Sequence, residues 1–187
     1  MIEDSGVDLL GFLADQVGNG LGYNVQNALT NGTGTVQPTG IVTAAGSGIT
    51  GGTGVSGAFT ADNLIDLMFS VIAPYRSSPS CAWLMKDATL ATVRKLKDTT
   101  NQYLWQPSLT AGQPDTFMGY SVVEAEDMPA VAANAFPLAF GDFKEGYLIA
   151  DRVGMCITRD EITTPGFVKF YVRKRVGGKL RNTQAIK

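Results

Sequence analysis

The residues of this 187-residue chain best able to do chemistry are its grouped carboxylates. Glu124 and Glu126 share one face of an expected strand, with Asp127 beside them. Asp142 and Glu145 flank an expected turn, and Asp160 and Glu161 are adjacent. Such pairs can bind Mg²⁺ or divide acid and base work between them. Both uses need the groups to converge on one point, and most carboxylate pairs are solvated surface. Histidine is absent. That excludes Ser-His and Cys-His nucleophile pairs, histidine-ligated metals and a histidine pH switch. Cys81 and Cys156 stand 75 positions apart in apolar surroundings, which reads as core thiols, neither a disulfide framework nor a metal cluster. No catalytic, cofactor-binding or metal site is assigned, and the chain reads as a non-enzyme.

Two glycine-rich runs, Asn31-Gly32-Thr33-Gly34 and Gly51-Gly52-Thr53-Gly54, suggest a phosphate cradle, but neither is followed by the Lys-Ser/Thr that a P-loop needs. The stronger signal is charge asymmetry. The net charge is −2, yet no acid follows Glu161, while Lys169, Arg173, Lys174, Arg175, Lys179, Arg181 and Lys187 do. That leaves eight bases against seventeen acids, or −9, on residues 1–161. An acidic body with a basic tail suits contact between copies of one chain, or weak polyanion binding. The candidate contact residues are Lys169, Arg173, Arg175, Lys179 and Arg181. The acidic body is the favoured partner; nucleic acid is expected to bind at most weakly and without sequence preference.

The elements that must carry these residues form an α+β pattern. With 44% hydrophobic and 17% charged residues the chain can bury a core. It has no 18-residue apolar run and an acidic N-terminus, so neither a membrane span nor a secretory signal is expected, and a reducing cytoplasm is the default compartment. Leu9, Leu13, Val17, Leu21, Val25 and Leu29 recur every four positions, which predicts a long helix over 5–29 with a stripe that winds about its axis. Gly18, Gly20 and Gly22 mark a bend, a close contact or a break in it. Nine glycines in residues 32–57 predict a loop, mobile over 44–57. Thr60 caps a second helix with Leu64, Ile65, Leu67, Met68, Val71 and Ile72 on its apolar face, stopped by Pro74. A short buried strand at 82–85 precedes a third helix capped by Asp87, with Leu90, Val93 and Leu96 on one side. Further strands are expected at 103–105, 118–124, 138–140, 147–150 and 155–158, with a loop at 106–116.

Residues 167–176 read as the clearest strand. Phe167, Lys169, Tyr171, Arg173 and Arg175 face one way, and Val168, Phe170, Val172 and Val176 the other. Lys174 interrupts the apolar side. Gly177-Gly178 predicts a hairpin, with 179–186 as the returning strand. A two-stranded ribbon is marginal alone, and the first helix also lacks a local partner. The two chain ends are therefore expected to share a module.

Four stretches then resemble the major capsid proteins of tailed bacteriophages, a fold shared with encapsulin shells. They are Asn31-Gly32-Thr33-Gly34 with Gln37-Pro38-Thr39-Gly40-Ile41 after the long helix; Trp83-Leu84-Met85 with Thr89-Leu90, Leu96-Lys97-Asp98 and Tyr103-Leu104; Met118-Gly119-Tyr120-Ser121-Val122 with Asp127-Met128-Pro129; and Phe140-Gly141-Asp142-Phe143, Gly146-Tyr147-Leu148-Ile149 and Asp151-Arg152. The resemblance implies a peripheral domain from residues 1–32 and 151–187, comprising a spine helix and C-terminal β-ribbon, and an axial domain from 33–150. It implies a structural subunit of an icosahedral phage or prophage shell, self-associating into pentamers and hexamers. Scaffold, prohead protease and portal proteins are the implied partners, and the virion, with the bacterial cytoplasm during assembly, the implied location. An encapsulin-like compartment shell is the alternative within the fold; a nucleic-acid-binding module using the basic ribbon is the alternative outside it. Relative to the family this sequence is shorter at the N-terminus, lacking the arm and extended loop that precede the spine helix. It has Phe170 where crosslinking members carry an asparagine, so covalent crosslinking is not expected.

Overall fold

The computed structural model describes residues 9–45, 58–105, 116–160, 162–164 and 168–187. The mobile segment expected over 44–57 and the loop expected over 106–116 lie almost wholly outside them, as do residues 5–8 of the first helix. Helix α1 runs Leu9–Asn31 without a break through all three glycines. A Cβ at Gly18, Gly20 or Gly22 would meet nothing within 4 Å, so none of them serves a close approach. Val17, Leu21, Val25 and Leu29 are each half-buried, as a winding stripe requires.

α1 ends in a tight loop. The Gly32 amide donates to the Ala28 carbonyl (3.0 Å) and the Gly40 amide to the Gly32 carbonyl (2.8 Å). A side chain at Gly32 would strike the Pro38 and Ala28 carbonyls. The loop closes onto the short helix α2 (Ile41–Ala44).

Helix α3 (Ala61–Ser70) starts as its sequence predicts. Thr60 accepts from the Asn63 amide, and the Asn63 side chain accepts from the Thr60 amide. It ends before Pro74, which instead lies in the first turn of a separate helix α4 (Ala73–Arg76), where its missing N–H costs nothing. Leu64 and Val71 are buried, but Ile65 and Ile72 are exposed, so the apolar face is narrower than expected.

The core is a four-stranded sheet in the order β2-β3-β1-β4: β1 (Cys81–Met85), β2 (Thr116–Phe117), β3 (Tyr120–Glu124) and β4 (Leu138–Asp142). β1 pairs parallel with β3 and antiparallel with β4. Met118 and Gly119, at φ 51° and 85°, form the two-residue turn that joins β2 to β3. Residues 103–105 do not form a strand; Tyr103 makes a single bridge to Lys97. Alternation in β1 sends Cys81, Trp83 and Met85 to one face. There they meet Leu64 and Val71 and, from helix α5 (Asp87–Arg94), Leu90 and Val93. Trp83 is fully buried, its centroid 4.4 Å from Phe140 and its indole N–H donating to the Phe117 carbonyl at 3.2 Å. On the other face Leu84 and Phe143 pack with Ala125, Met128 and Ala139.

A short helix α6 (Phe143–Gly146) turns the chain into the second sheet, a ribbon of β5 (Tyr147–Asp160) and β6 (Lys169–Leu180). The two strands expected at 147–150 and 155–158 are one. The hairpin expected at Gly177-Gly178 is not formed: both glycines lie inside β6, paired with Ala150 and Ile149. A side chain at Gly178 would strike the Tyr147 hydroxyl and approach Leu29 Cδ2 at 2.7 Å, so this glycine serves close approach and not a turn. Residues 179–186 are not the returning strand either. Beyond β6 the chain crosses to the central sheet. Lys187 and Phe140 exchange backbone hydrogen bonds (2.8 and 2.9 Å), and the Asp142 amide donates to the Ala185 carbonyl. Ala185 and Ile186 are completely buried there.

Candidate functional site

The basic ribbon is built by register. β5 has fourteen residues and β6 twelve, and the difference is absorbed by two irregularities on β5, between Asp151 and Val153 and between Val153 and Cys156. Directly opposed residues share a face. Lys169, Tyr171, Arg173 and Arg175 therefore line up with Asp160, Thr158, Cys156 and Val153. Lys169, Arg173, Arg175 and Lys179 are all exposed. Among the described residues Arg173 and Arg175 make no ion pair. Arg181 lies beyond the strand and bonds Glu145 at 3.3 Å. The structure thus brings four of the five candidate bases onto one side of one strand and ties the fifth to α6. Phe167 and Glu161 lie outside the described residues.

Lys174 emerges on the opposite, apolar side, where it pairs with Asp151 at 3.3 Å. That neighbour, invisible without the register, is why a lysine is tolerated there.

The ribbon is moored at its base. The Thr39 amide donates to the Gly178 carbonyl (2.9 Å), and the Tyr147 hydroxyl donates to the Thr39 carbonyl (2.6 Å). Burial raises the Tyr147 phenol above its ordinary pKa. Leu29 closes the same point, so the C-terminal end of α1, the loop after it and β6 meet around one glycine. The long helix does meet the ribbon, at the helix's end.

Among the described residues the carboxylates do not converge. Glu126 pairs with Lys86 at 3.3 Å, and the Asp127 carbonyl accepts from the Asn31 amide side chain at 2.7 Å. Glu124 pairs in register with Met85 at the end of β3. Asp160 caps its own turn, bonding the Ile162 and Thr163 amides and the Thr163 hydroxyl. Asp142 is 1% exposed and caps α6 through the Lys144 and Glu145 amides, while the Ser80 hydroxyl donates to it at 2.7 Å. Burial works against its charge, but hydrogen bonds from Ser78, Ser80 and the two amides outweigh it and hold the carboxyl below its ordinary value. Among the described residues no three acidic or cysteine side chains could hold a metal ion, and no helix is long and apolar enough to cross a membrane. Burial and the neighbouring Asp142 carboxylate push the Cys81 thiol up to about 11, against a smaller opposing effect of Arg76. It is an inert core thiol at neutral pH. In the Gly32 loop the Gly32, Thr39 and Gly40 amides are spent on the Ala28, Gly178 and Gly32 carbonyls; residues 51–54 lie outside the described residues.

The family model of the phage capsid family matches residues 1–187. The chain belongs to the phage capsid family. Among solved structures, this capsid-family chain is similar to the capsid of the empty GTA (gene transfer agent) particle computed with C5 symmetry, at 37% identity and a TM-score of 0.86; the match covers 99% of this chain and 67% of that one. It is similar also to the capsid of the native GTA particle computed with C5 symmetry, at 36% identity and a TM-score of 0.87, covering 99% of this chain and 66% of that one. The family chain thus spans about two thirds of the length of these capsid proteins. None of the curated proteins matches it.

Proposed function

We propose that the protein is a structural subunit of a phage-like capsid shell, acting by self-association into pentamers and hexamers. The observation that carries this is similarity over 99% of the chain to capsids computed with five-fold symmetry, at more than a third of positions identical. The mechanism is geometric: a repeated head-to-tail contact closes into a ring, and rings tile a shell.

In this reading residues 1–32 and 151–187 form the peripheral part and 33–150 the axial part, with the last three residues reaching back onto β4. The peripheral part presents Lys169, Arg173, Arg175, Lys179 and Arg181 to the acidic surface of a neighbouring copy. Scaffold, prohead protease and portal proteins would be its assembly partners, and host cytoplasm and then virion its location. The test is to purify particles from cells that carry the gene and identify the shell protein by mass spectrometry. This chain as the dominant, stoichiometric component is expected; particles whose shell is another protein would overturn the proposal.

A further inference from the structure

Helix α3 has a second face. Leu64, Leu67, Met68 and Val71 turn toward the core, while Asp62, Ile65, Asp66 and Phe69 are exposed at i, i+3, i+4 and i+7, one stripe along the outer side. Phe69 is 61% exposed and Ile72, just beyond, 44%. The stripe is apolar and acidic in alternation. Arg76 lies over the Phe69 ring at 4.5 Å, a cation–π contact at the end of the stripe.

A complementary patch stands across the same layer. Lys95 and Lys97 follow α5, and Lys97 lies 5.0 Å over the ring of Tyr103. Tyr103 and Leu104 are both more than half exposed. The one acid here, Asp98, is also exposed, its carboxylate bonded to Thr100 and the Gln102 amide. With two lysines to one aspartate the patch is apolar and net basic.

The sheet places the two at opposite ends. α3 and α5 cover the same face of the β2-β3-β1-β4 sheet. α3 touches the β4 edge. The segment that ends in Trp105 lies at the β2 edge, where the Trp105 indole donates to the Thr116 carbonyl at 3.0 Å and stacks edge-on against Phe117. One layer therefore carries an acidic apolar stripe at one end and a basic apolar patch at the other. Two such ends cannot meet within one molecule.

We infer that the α3 stripe of one copy docks on the Lys95–Leu104 patch of the next. The inference rests on the self-association proposed above and names its contact. The occupant is a second copy of this chain because the charges are opposite, both patches have exposed apolar centres, and a contact between different surfaces propagates head to tail. It is heterologous, so it closes a ring and not an isologous pair.

The test is charge reversal in the full 187-residue chain, followed by sedimentation velocity across concentration, with thermal melting to confirm the fold. Asp62→Lys with Asp66→Lys is one variant; Lys95→Glu with Lys97→Glu is the other. Each alone is expected to weaken association by about tenfold or more. Mixed together they are expected to associate again, because each then meets an opposite charge. Phe69→Ala and Leu104→Ala, at exposed sites, should weaken association while leaving the melting temperature in place. Association of the parent chain that is indifferent to all four variants overturns this contact and leaves the shell reading standing. A parent chain that stays monomeric at every concentration while fully folded overturns both.

Discussion

The central sheet and the ribbon are both made of alternating strands, yet they treat alternation differently. In the sheet, both faces are covered: β1 has four of five residues buried, α3 and α5 seal one side, and Phe143 and Met128 the other. In the ribbon, no residue of β6 is fully buried, and of β5 only Tyr147 is. Ile157 and Phe170, on the apolar side, stay 47% and 37% exposed. A two-stranded ribbon holds its shape through its ladder and its mooring at Gly178, not through a core. The sheet is where this protein is stable; the ribbon is where it presents surface.

The comparison breaks most visibly at Trp83. Trp83→Ala removes a fully buried ring from contact with Phe117 and Phe140 and should cost about 3–5 kcal/mol in urea unfolding. The matching ribbon change, Tyr171→Ala, should stay within about 0.5 kcal/mol. Equal costs would mean the ribbon is as much a core as the sheet.

Asp142 sharpens the comparison with pH. Its folded pKa lies below the ordinary 3.8, so as pH falls the unfolded chain takes up this proton first. The stability it lends is complete above about pH 5 and is lost as pH falls through the folded value. Asp142→Ala should cost about 2–3 kcal/mol at pH 7, by stranding the Ser80 hydroxyl and two amides, and should flatten the acid limb of stability. An unchanged acid limb would assign that pH dependence to other carboxylates.

Much of the sheet side was legible in the sequence, because its signals are local. Thr60 as a helix cap and the apolar run at 82–85 each fix an element from adjacent residues; Asp87, expected as a cap, is instead the first residue of α5, whose N-cap Lys86 makes no side-chain bond. The parity of β6 was legible for the same reason. What escaped were facts supplied from a distance. Gly177-Gly178 encodes a turn or a close approach equally well, and Tyr147 and Leu29 decide between them. Lys174 looked like an interruption until register placed Asp151 beside it. The burial of Ile186 depends on Gly141 and Gly146: a side chain at Gly141 would strike the Ala185 carbonyl, and one at Gly146 would strike Ile186 itself. Family resemblance supplied the capsid fold, which periodicity could not.

On the ribbon side, α1 offers a change in the opposite direction. Gly20 sits in mid-helix with open space around its Cα, so Gly20→Ala should stabilise the isolated chain by about 0.5–1 kcal/mol. Calorimetry checks the sign. A loss of stability would show that the helix bends at its glycines in solution.

The smallest effect on folding belongs to the basic face. Lys169→Glu, Arg173→Glu and Arg175→Glu together alter exposed side chains on a strand without a core, so the melting free energy should move by less than about 0.5 kcal/mol per site. Binding should respond instead. If these three bases are what a polyanion meets, the parent chain binds duplex DNA weakly, with log affinity falling against log salt at a slope of about −3, and the triple variant loses that binding. Shell assembly should suffer too, because the same bases are proposed to face a neighbour's acids, and added salt should weaken assembly of the parent more than that of the variant. Filter binding at several salt concentrations, read beside light scattering of assembly, separates the two uses. A triple variant that binds DNA poorly yet assembles like the parent would make the ribbon a nucleic-acid surface, not a contact between copies. A variant that melts several degrees lower would erase the contrast between sheet and ribbon, because stability would then reside in a face that the register leaves open to water.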